Sequence, residues 1–174
     1  LRNHFAGVAK KASDYMNLDF RGLVVDIGGN DGTQLKEYQK LGFKRLCNVE
    51  PSKKTAKISK SDGIFTVNEF FNEASAEKNF RKNEVSIINA AGVFFHLEEL
   101  HSVIKGIKYC LSDKGILVIQ FGYAGQVLDG GFYDFIYHEH LCLYSLMSLT
   151  NLLAPYGLHV RKVEKSEIHN GSLV

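Results

Sequence analysis

The segment YAGQVLDGGFYDFIYHEHLCLYSL is dense in aromatic and titratable side chains and carries Tyr137, His138, Glu139 and His140 in a row. Imidazole titrates near neutrality, so His140 can take a proton while Tyr137 or Glu139 holds the oxygen functions of a substrate. Two histidines and a glutamate are also metal-ligand types. Successive residues of an extended segment point to alternate sides, however, so at most His138 and His140 share one, and a metal is the lesser reading. Nucleophilic catalysis needs an activated Ser or Cys, and Cys142 sits beside no glycine elbow. Singly, each His or Tyr reads as a side chain satisfying hydrogen bonds beneath a loop. The cluster as a whole favours acid/base chemistry.

A second group of residues lies far upstream, in VVDIGGNDGT. An apolar run leads into it and a helical pattern leaves it, so Gly28, Gly29, Asn30 and Gly32 occupy a strand-to-helix turn, where open α/β sheets bind ligands. A dinucleotide fingerprint counted from Gly28 needs glycine at positions filled by Asn30 and Thr33. A phosphate loop needs Lys followed by Ser or Thr, and Thr33 and Gln34 stand there instead. The turn is acidic, with Asp26 at the strand end and Asp31 inside the loop, which repels phosphate and suits a cation at the helix N-terminus. S-adenosylmethionine, with an ammonium, a sulfonium and no phosphate, fits these charges. Glu50, followed by Pro51, ends the next apolar run 24 residues past Asp26, where a carboxylate can accept hydrogen bonds from both hydroxyls of a ribose. Asn68 is placed to meet the adenine edge, and Ala90 with Ala91 to supply backbone. Alone, Asp26 reads as a turn cap and Glu50 as a surface acid; together with the glycines they point to an adenosine cofactor.

These groups need a scaffold, and the chain patterns as one. From Leu23, short β-branched runs alternate with longer amphipathic stretches, the signature of a doubly wound α/β sheet with helices on both faces. The predicted strands are Leu23–Ile27, Arg45–Val49, Gly63–Val67, Val85–Ala90, Ile116–Phe121, Leu158–Glu164 and a run from Gly171, seven in all. Helical spacing predicts helices over Thr33–Leu41, Leu97–Leu111 and Ser145–Tyr156, the last with Ser145 as N-cap and Gly157 as stop. Residues 3–18 form a further helix beside the cofactor mouth.

The 174 residues, 45% hydrophobic with two prolines, suit one domain spanning residues 1–174. Lys and Arg number 21 against 19 Asp and Glu, with no long block of either sign, so a nucleic-acid partner is not expected. Lys53, Lys54, Lys57 and Lys60 read as a solvated helix face. Cys47, Cys110 and Cys142 are too scattered for zinc or a disulfide framework and suit a reducing cytoplasm. No apolar run approaches the ~20 residues that cross a bilayer, and the polar, helix-like stretch that Leu1 opens does not read as a signal peptide. Leu1 in the place of an initiator Met leads us to expect a piece of a longer protein.

Taken in order, VVDIGGNDGTQL, CNVEPS, GVFFHLEELHSVIKGIK, YDFIYHEHLCLYSL, YGLHVRKVE and HNGSLV resemble the bacterial sugar C-methyltransferases. The resemblance runs from about Leu23 to the end. It implies a Rossmann-like class I methyltransferase fold and S-adenosylmethionine as methyl donor. The implied substrate is a nucleotide-linked 4-keto deoxysugar methylated at C3. His140 then falls at the family's general base, Tyr137 beside the sugar's keto oxygen and Glu139 at the sugar hydroxyls, with no metal in the reaction. The family's cysteine-rich zinc domain and its C-terminal domain have no counterpart here. Gln120 stands where an acid is usual, Ala91 and Gly92 replace a polar pair, and Asn170 replaces a glycine. Two alternatives remain open at this point: an O- or N-methyltransferase of another small molecule on the same scaffold, and a binding module that keeps the cofactor pocket without catalysis.

Overall fold

The computed structural model describes residues 2–16, 20–168 and 171–174. Its strands are β1 (Leu23–Ile27), β2 (Arg45–Val49), β3 (Phe65–Val67), β4 (Val85–Ala91), β5 (Leu111–Gly122), β6 (Lys165–Ser166) and β7 (Ser172–Leu173). Its helices are α1 (Arg2–Met16), α2 (Thr33–Leu41), α3 (Lys53–Ser61), α4 (Glu73–Asn79), α5 (Leu100–Cys110), α6 (Ala124–Asp129) and α7 (Leu146–Leu153). The strands form one seven-stranded sheet in the order β3-β2-β1-β4-β5-β7-β6, parallel from β3 to β5 and antiparallel where β7 joins β5 and β6. The strand order reverses between β1 and β4, so loops leaving their carboxyl ends diverge and open a crevice there.

Alternation along the strands divides the core into two layers. Val24 and Ile87 pack with Ala9, Ala12, Leu35, Tyr38 and Phe43 under α1 and α2. Val25, Ile27, Val85, Ile88 and Ala90 pack with Phe94, Val103, Ile104 and Ile107 on the other side. A register shift between Val85 and Ile87 puts these two residues, which plain alternation would set on one face, into opposite layers. Fully buried side chains of this size each contribute roughly 1.5–3 kcal/mol.

Helix ends follow the expected chemistry. Gly42 adopts φ 108° and its N–H closes the end of α2. Ser145 caps α7 by accepting from the Ser148 N–H, and Gly157 turns left-handed beyond a 3-10 turn over Ala154–Tyr156. Several boundaries differ from the sequence pattern; β3, for one, starts at Phe65 rather than Gly63. Helix α5 starts at Leu100 rather than Leu97, because Phe94–His96 forms its own 3-10 turn and Glu99 is the cap. Strand β5 begins at Leu111, well before Ile116, because Leu111 already pairs with Val85.

The strand expected over Leu158–Glu164 is corrected to Lys165–Ser166. A strand needs a ladder partner, and β7 offers only Ser172 and Leu173 to β6, with Val174 exchanging backbone hydrogen bonds with Glu164. A cleft of about 640 Å³ lies between β5, α1, α7 and this unpaired stretch. It lies away from the β1, β2 and β4 loops where the acidic turn sits. No described helix is long and apolar enough to cross a membrane. Residues 17 and 18 at the end of the predicted first helix, and His169 and Asn170 of the last motif, lie outside the described residues.

Candidate cofactor and reaction site

The turn after β1 is built from its glycines. Gly28 has φ +65° and donates its N–H to the Val49 carbonyl at 2.8 Å; a Cβ there would come within 2.9 Å of Val93. Gly32, φ +77°, closes the turn by donating to the Gly29 carbonyl at 2.8 Å and caps α2. Asn30 is one of two described non-glycine residues with positive φ, and it is held at both its N–H and its carbonyl. Its N–H donates to Glu50 Oε2 at 2.9 Å, and its carbonyl accepts from Asn48 Nδ2 at 2.9 Å. Glu50 Oε1 accepts from the Ser52 N–H at 2.8 Å. Glu50 therefore clamps the β1 and β2 turns together, and each carboxylate oxygen keeps a lone pair for a further donor. Asn68 donates to the Glu50 and Pro51 carbonyls at 2.7 and 3.0 Å, fixing the turn beside Glu50. Ala90 is buried in the core, whereas Ala91 reaches the cavity described next.

A cavity of about 100 Å³ opens between this turn and α1, lined by Phe5, Asp26, Gly29, Asp31, Gln34 and Ala91 among others. Its polar side chains present acceptors. Asp26 is 2% exposed. Burial, with the nearby Glu50 charge, pushes the Asp26 carboxyl up to about 8. Burial also acts on Asp31, but hydrogen bonds from the Thr33 N–H and hydroxyl and the Lys36 charge outweigh it and hold that carboxyl below its ordinary value. Gln34 gives its Nε2 to Asn89 Oδ1, leaving a buried Oε1 without a donor. Two carboxyls and an unpartnered amide oxygen match a primary ammonium, which brings three N–H donors and a positive charge. The ammonium of S-adenosylmethionine is a donor of the kind these acceptors lack.

The cluster around Tyr137 and His140 sits at the same edge of the sheet. Residues 91–96 leave β4 beside Gly28 and lead into Phe95 and His96, against which the 135–141 segment folds. The Leu141 N–H donates to the Phe95 carbonyl at 2.8 Å. His140 is enclosed by Tyr137, Phe135 and Phe95, with ring centroids at 4.1, 4.2 and 4.4 Å. Its Nδ1 lies 2.6 Å from the Phe135 carbonyl. A carbonyl only accepts, so Nδ1 carries the proton and Nε2 keeps its lone pair. His96 repeats the arrangement, with Nδ1 at 2.7 Å from the Glu139 carbonyl and its ring 5.0 Å from that of His140. The Glu139 carboxylate is exposed and lies 4.0 Å from His138, itself 88% exposed. Tyr137 is 44% exposed, its ring against His140.

Of the residues expected from sequence, Asp26, Gly28, Gly29, Asn30, Gly32 and Glu50 come together in one turn pair, and Tyr137 and His140 in one aromatic cluster. His138 is 88% exposed at the rim of that cluster, its ring edge-on to Tyr137 at 6.0 Å between centroids. The sequence reading gave no role to His96, Gln34 or Phe135. For His96 the signal was its place just after β4, at the carboxyl edge of the sheet. No three or more His, Cys, Asp or Glu are grouped to hold a metal among the described residues.

The methyltransferase-domain family profile matches residues 6–163, and the chain belongs to that family. It is an S-adenosylmethionine-dependent domain. C-methyltransferase NovU of Streptomyces niveus is 29% identical over 153 residues, covering 87% of this chain and 36% of the relative. The chain thus spans about a third of that relative's length. Among solved structures, an S-adenosylmethionine-dependent methyltransferase from Archaeoglobus fulgidus superposes with a TM-score of 0.71 at 16% identity, over 94% of this chain and 73% of the other. Geranyl diphosphate C-methyltransferase from Streptomyces coelicolor, solved with Mg2+, geranyl diphosphate and S-adenosyl-L-homocysteine, gives 0.69 at 13% identity, over 91% and 62%. At these identities the two structures speak for the fold.

Proposed function

We propose that this domain methylates a carbon next to the carbonyl of a nucleotide-linked keto sugar, as part of deoxysugar biosynthesis in the cytoplasm. The observation that carries the reading is His140, whose Nδ1–H is spent on the Phe135 carbonyl so that Nε2 is a free base at the carboxyl edge of the sheet. The C-methylating relative supports carbon as the acceptor atom.

His140 Nε2 removes the proton α to the carbonyl, and the imidazolium that forms is stabilised by the Phe135 carbonyl and the π faces around it. Tyr137 donates its hydroxyl to the oxygen on which charge develops. Glu139, exposed beside His138, holds sugar hydroxyls. Asp26, Asp31 and Gln34 take the cofactor's ammonium, Glu50 its ribose hydroxyls, and Asn68 the adenine edge. When bound, S-adenosylmethionine supplies a methyl group on sulfonium, reactive enough that the protein's share is orientation and proton removal.

Mass spectrometry of products from a nucleotide-sugar panel, with the full-length protein and S-adenosylmethionine, tests this. The expected product is a keto sugar heavier by one methyl on carbon, with solvent deuterium exchanging into the same carbon when the donor is withheld. Methylation of oxygen or nitrogen, or no exchange on any keto sugar, would overturn it.

A further inference from the structure

We propose that Gly122 is a positioning residue for the base: the missing Cβ at the end of β5 seats the Phe135 ring, and through it the carbonyl that sets the His140 tautomer. The inference rests on His140 being the base.

Gly122 is the last residue of β5 and pairs with Ser172 of β7 as ordinary strand. Its φ is not among the positive values, so the backbone at this position does not demand glycine. Space does. A Cβ built on Gly122 would lie 2.2 Å from Phe135 Cζ and 2.9 Å from both Cε atoms. A glycine inside a strand commonly marks a place where another group must approach the backbone closely, and here the group is one aromatic ring.

That ring matters because little else pins its segment. Between Gly131 and Leu141 only Phe132, Phe135 and His140 are even partly buried. Phe135 stacks edge-on against Phe95, at 5.7 Å between centroids, and lies 4.2 Å from the His140 ring. Its carbonyl takes the His140 Nδ1–H. Further ties to the body are the Phe132 N–H on the Val127 carbonyl, the Leu141 N–H on the Phe95 carbonyl, His96 on the Glu139 carbonyl, and the His140 ring against Phe95 and His96. Phe135 thus both lies against the end of β5 through its ring and bonds the base directly through its carbonyl. If the ring is displaced, His140 loses its fixed acceptor, and the imidazole divides between tautomers, one of which has no lone pair on Nε2.

The test is Gly122→Ala, which the strand backbone accepts and which meets only the far end of one ring. In the unaltered protein, long-range 15N–1H spectra are expected to show His140 with Nε2 unprotonated. In Gly122→Ala that signature should be lost or mixed. Exchange of the sugar's α-carbon proton should fall at least tenfold in kcat, while S-adenosylhomocysteine affinity stays within twofold. The double variant Gly122→Ala/Phe135→Leu removes the ring that clashes and keeps the carbonyl, so it should regain at least threefold of the lost exchange. An unchanged tautomer in Gly122→Ala would overturn the proposal, as would slowed exchange without rescue. If Gly122→Ala does not fold, the double variant carries the test, since a double variant that folds with a mixed tautomer also contradicts it. The spectra need no substrate, so a Gly122-dependent tautomer beside absent exchange on every keto sugar would refute the proposed reaction and leave the positioning role standing.

Discussion

Replacing Asp26 with Asn should stabilise the ligand-free domain and weaken its hold on the cofactor, and the structure gives the size of the effect. In the unfolded chain this carboxyl ionises near its ordinary value of 3.8, whereas burial and Glu50 raise it to about 8 in the fold. Between those values the folded protein binds a proton that the unfolded chain has released. The contribution is therefore fully present below about pH 4 and is lost as pH rises to about 8, at 1.36 kcal/mol per unit. Integrated over roughly three units, from about pH 5 to pH 8, this is of order 4 kcal/mol. Asparagine does not titrate. Asp26 Oδ2 and the orphaned Asn48 Oδ1 both lie within 2.7 Å of the place a Gly29 Cβ would take, so the new amide has an acceptor beside it. Denaturant unfolding at pH 5, 6, 7 and 8 should show the variant's advantage widening by about 3–4 kcal/mol across that range. S-adenosylhomocysteine should bind the variant at least tenfold more weakly, because an ammonium no longer meets a carboxylate, a charge-assisted bond worth about 1.5–3 kcal/mol. An advantage that does not change with pH, or a variant less stable throughout, would refute the reasoning.

Other outcomes follow from single contacts. His140→Asn should keep fold and cofactor affinity while lowering α-proton exchange by about a hundredfold to ten-thousandfold, whereas Tyr137→Phe should slow exchange without abolishing it; equal loss in both would remove the separate roles. Gly29→Ala sets a Cβ 2.5 Å from Asn48 Oδ1 and 2.7 Å from Asp26 Oδ2, and should cost about 1–3 kcal/mol in unfolding measurements. Metal analysis of the purified domain should find no structural zinc, because Cys47 and Cys110 are buried apart from any ligand cluster among the described residues; stoichiometric zinc removable only with loss of fold would contradict this.

The parallel half of the fold was legible because its signals are local. Runs such as LVVDI and RLCNV read as buried strands, and Gly28, Gly32 and Gly42 mark turns that only a left-handed residue closes comfortably. The sixth strand was not legible. Leu158–Glu164 has the pattern of a strand, but pairing depends on a neighbour that β7 supplies only as far as Ser172, Leu173 and Val174. Short elements such as α4 and α6 carry too few turns for a periodic signal. In the candidate site, residue type singled out the acids, the glycines and His140. The parts that act through the backbone stayed hidden: the Phe135 and Glu139 carbonyls that orient two imidazoles, and a strand glycine whose importance is the ring it admits.

The central claim is that the turn after β1, closed by Glu50, holds S-adenosylmethionine. Calorimetric titration of the domain with S-adenosylhomocysteine tests it most directly, in the unaltered protein and in Glu50→Ala. The account predicts one site, weakened by about 2–4 kcal/mol in the variant through loss of a charged acceptor for the ribose and of the clamp on the Asn30 and Ser52 amides. A folded domain that binds no ligand, or a Glu50→Ala variant that binds as tightly as the original, would contradict it.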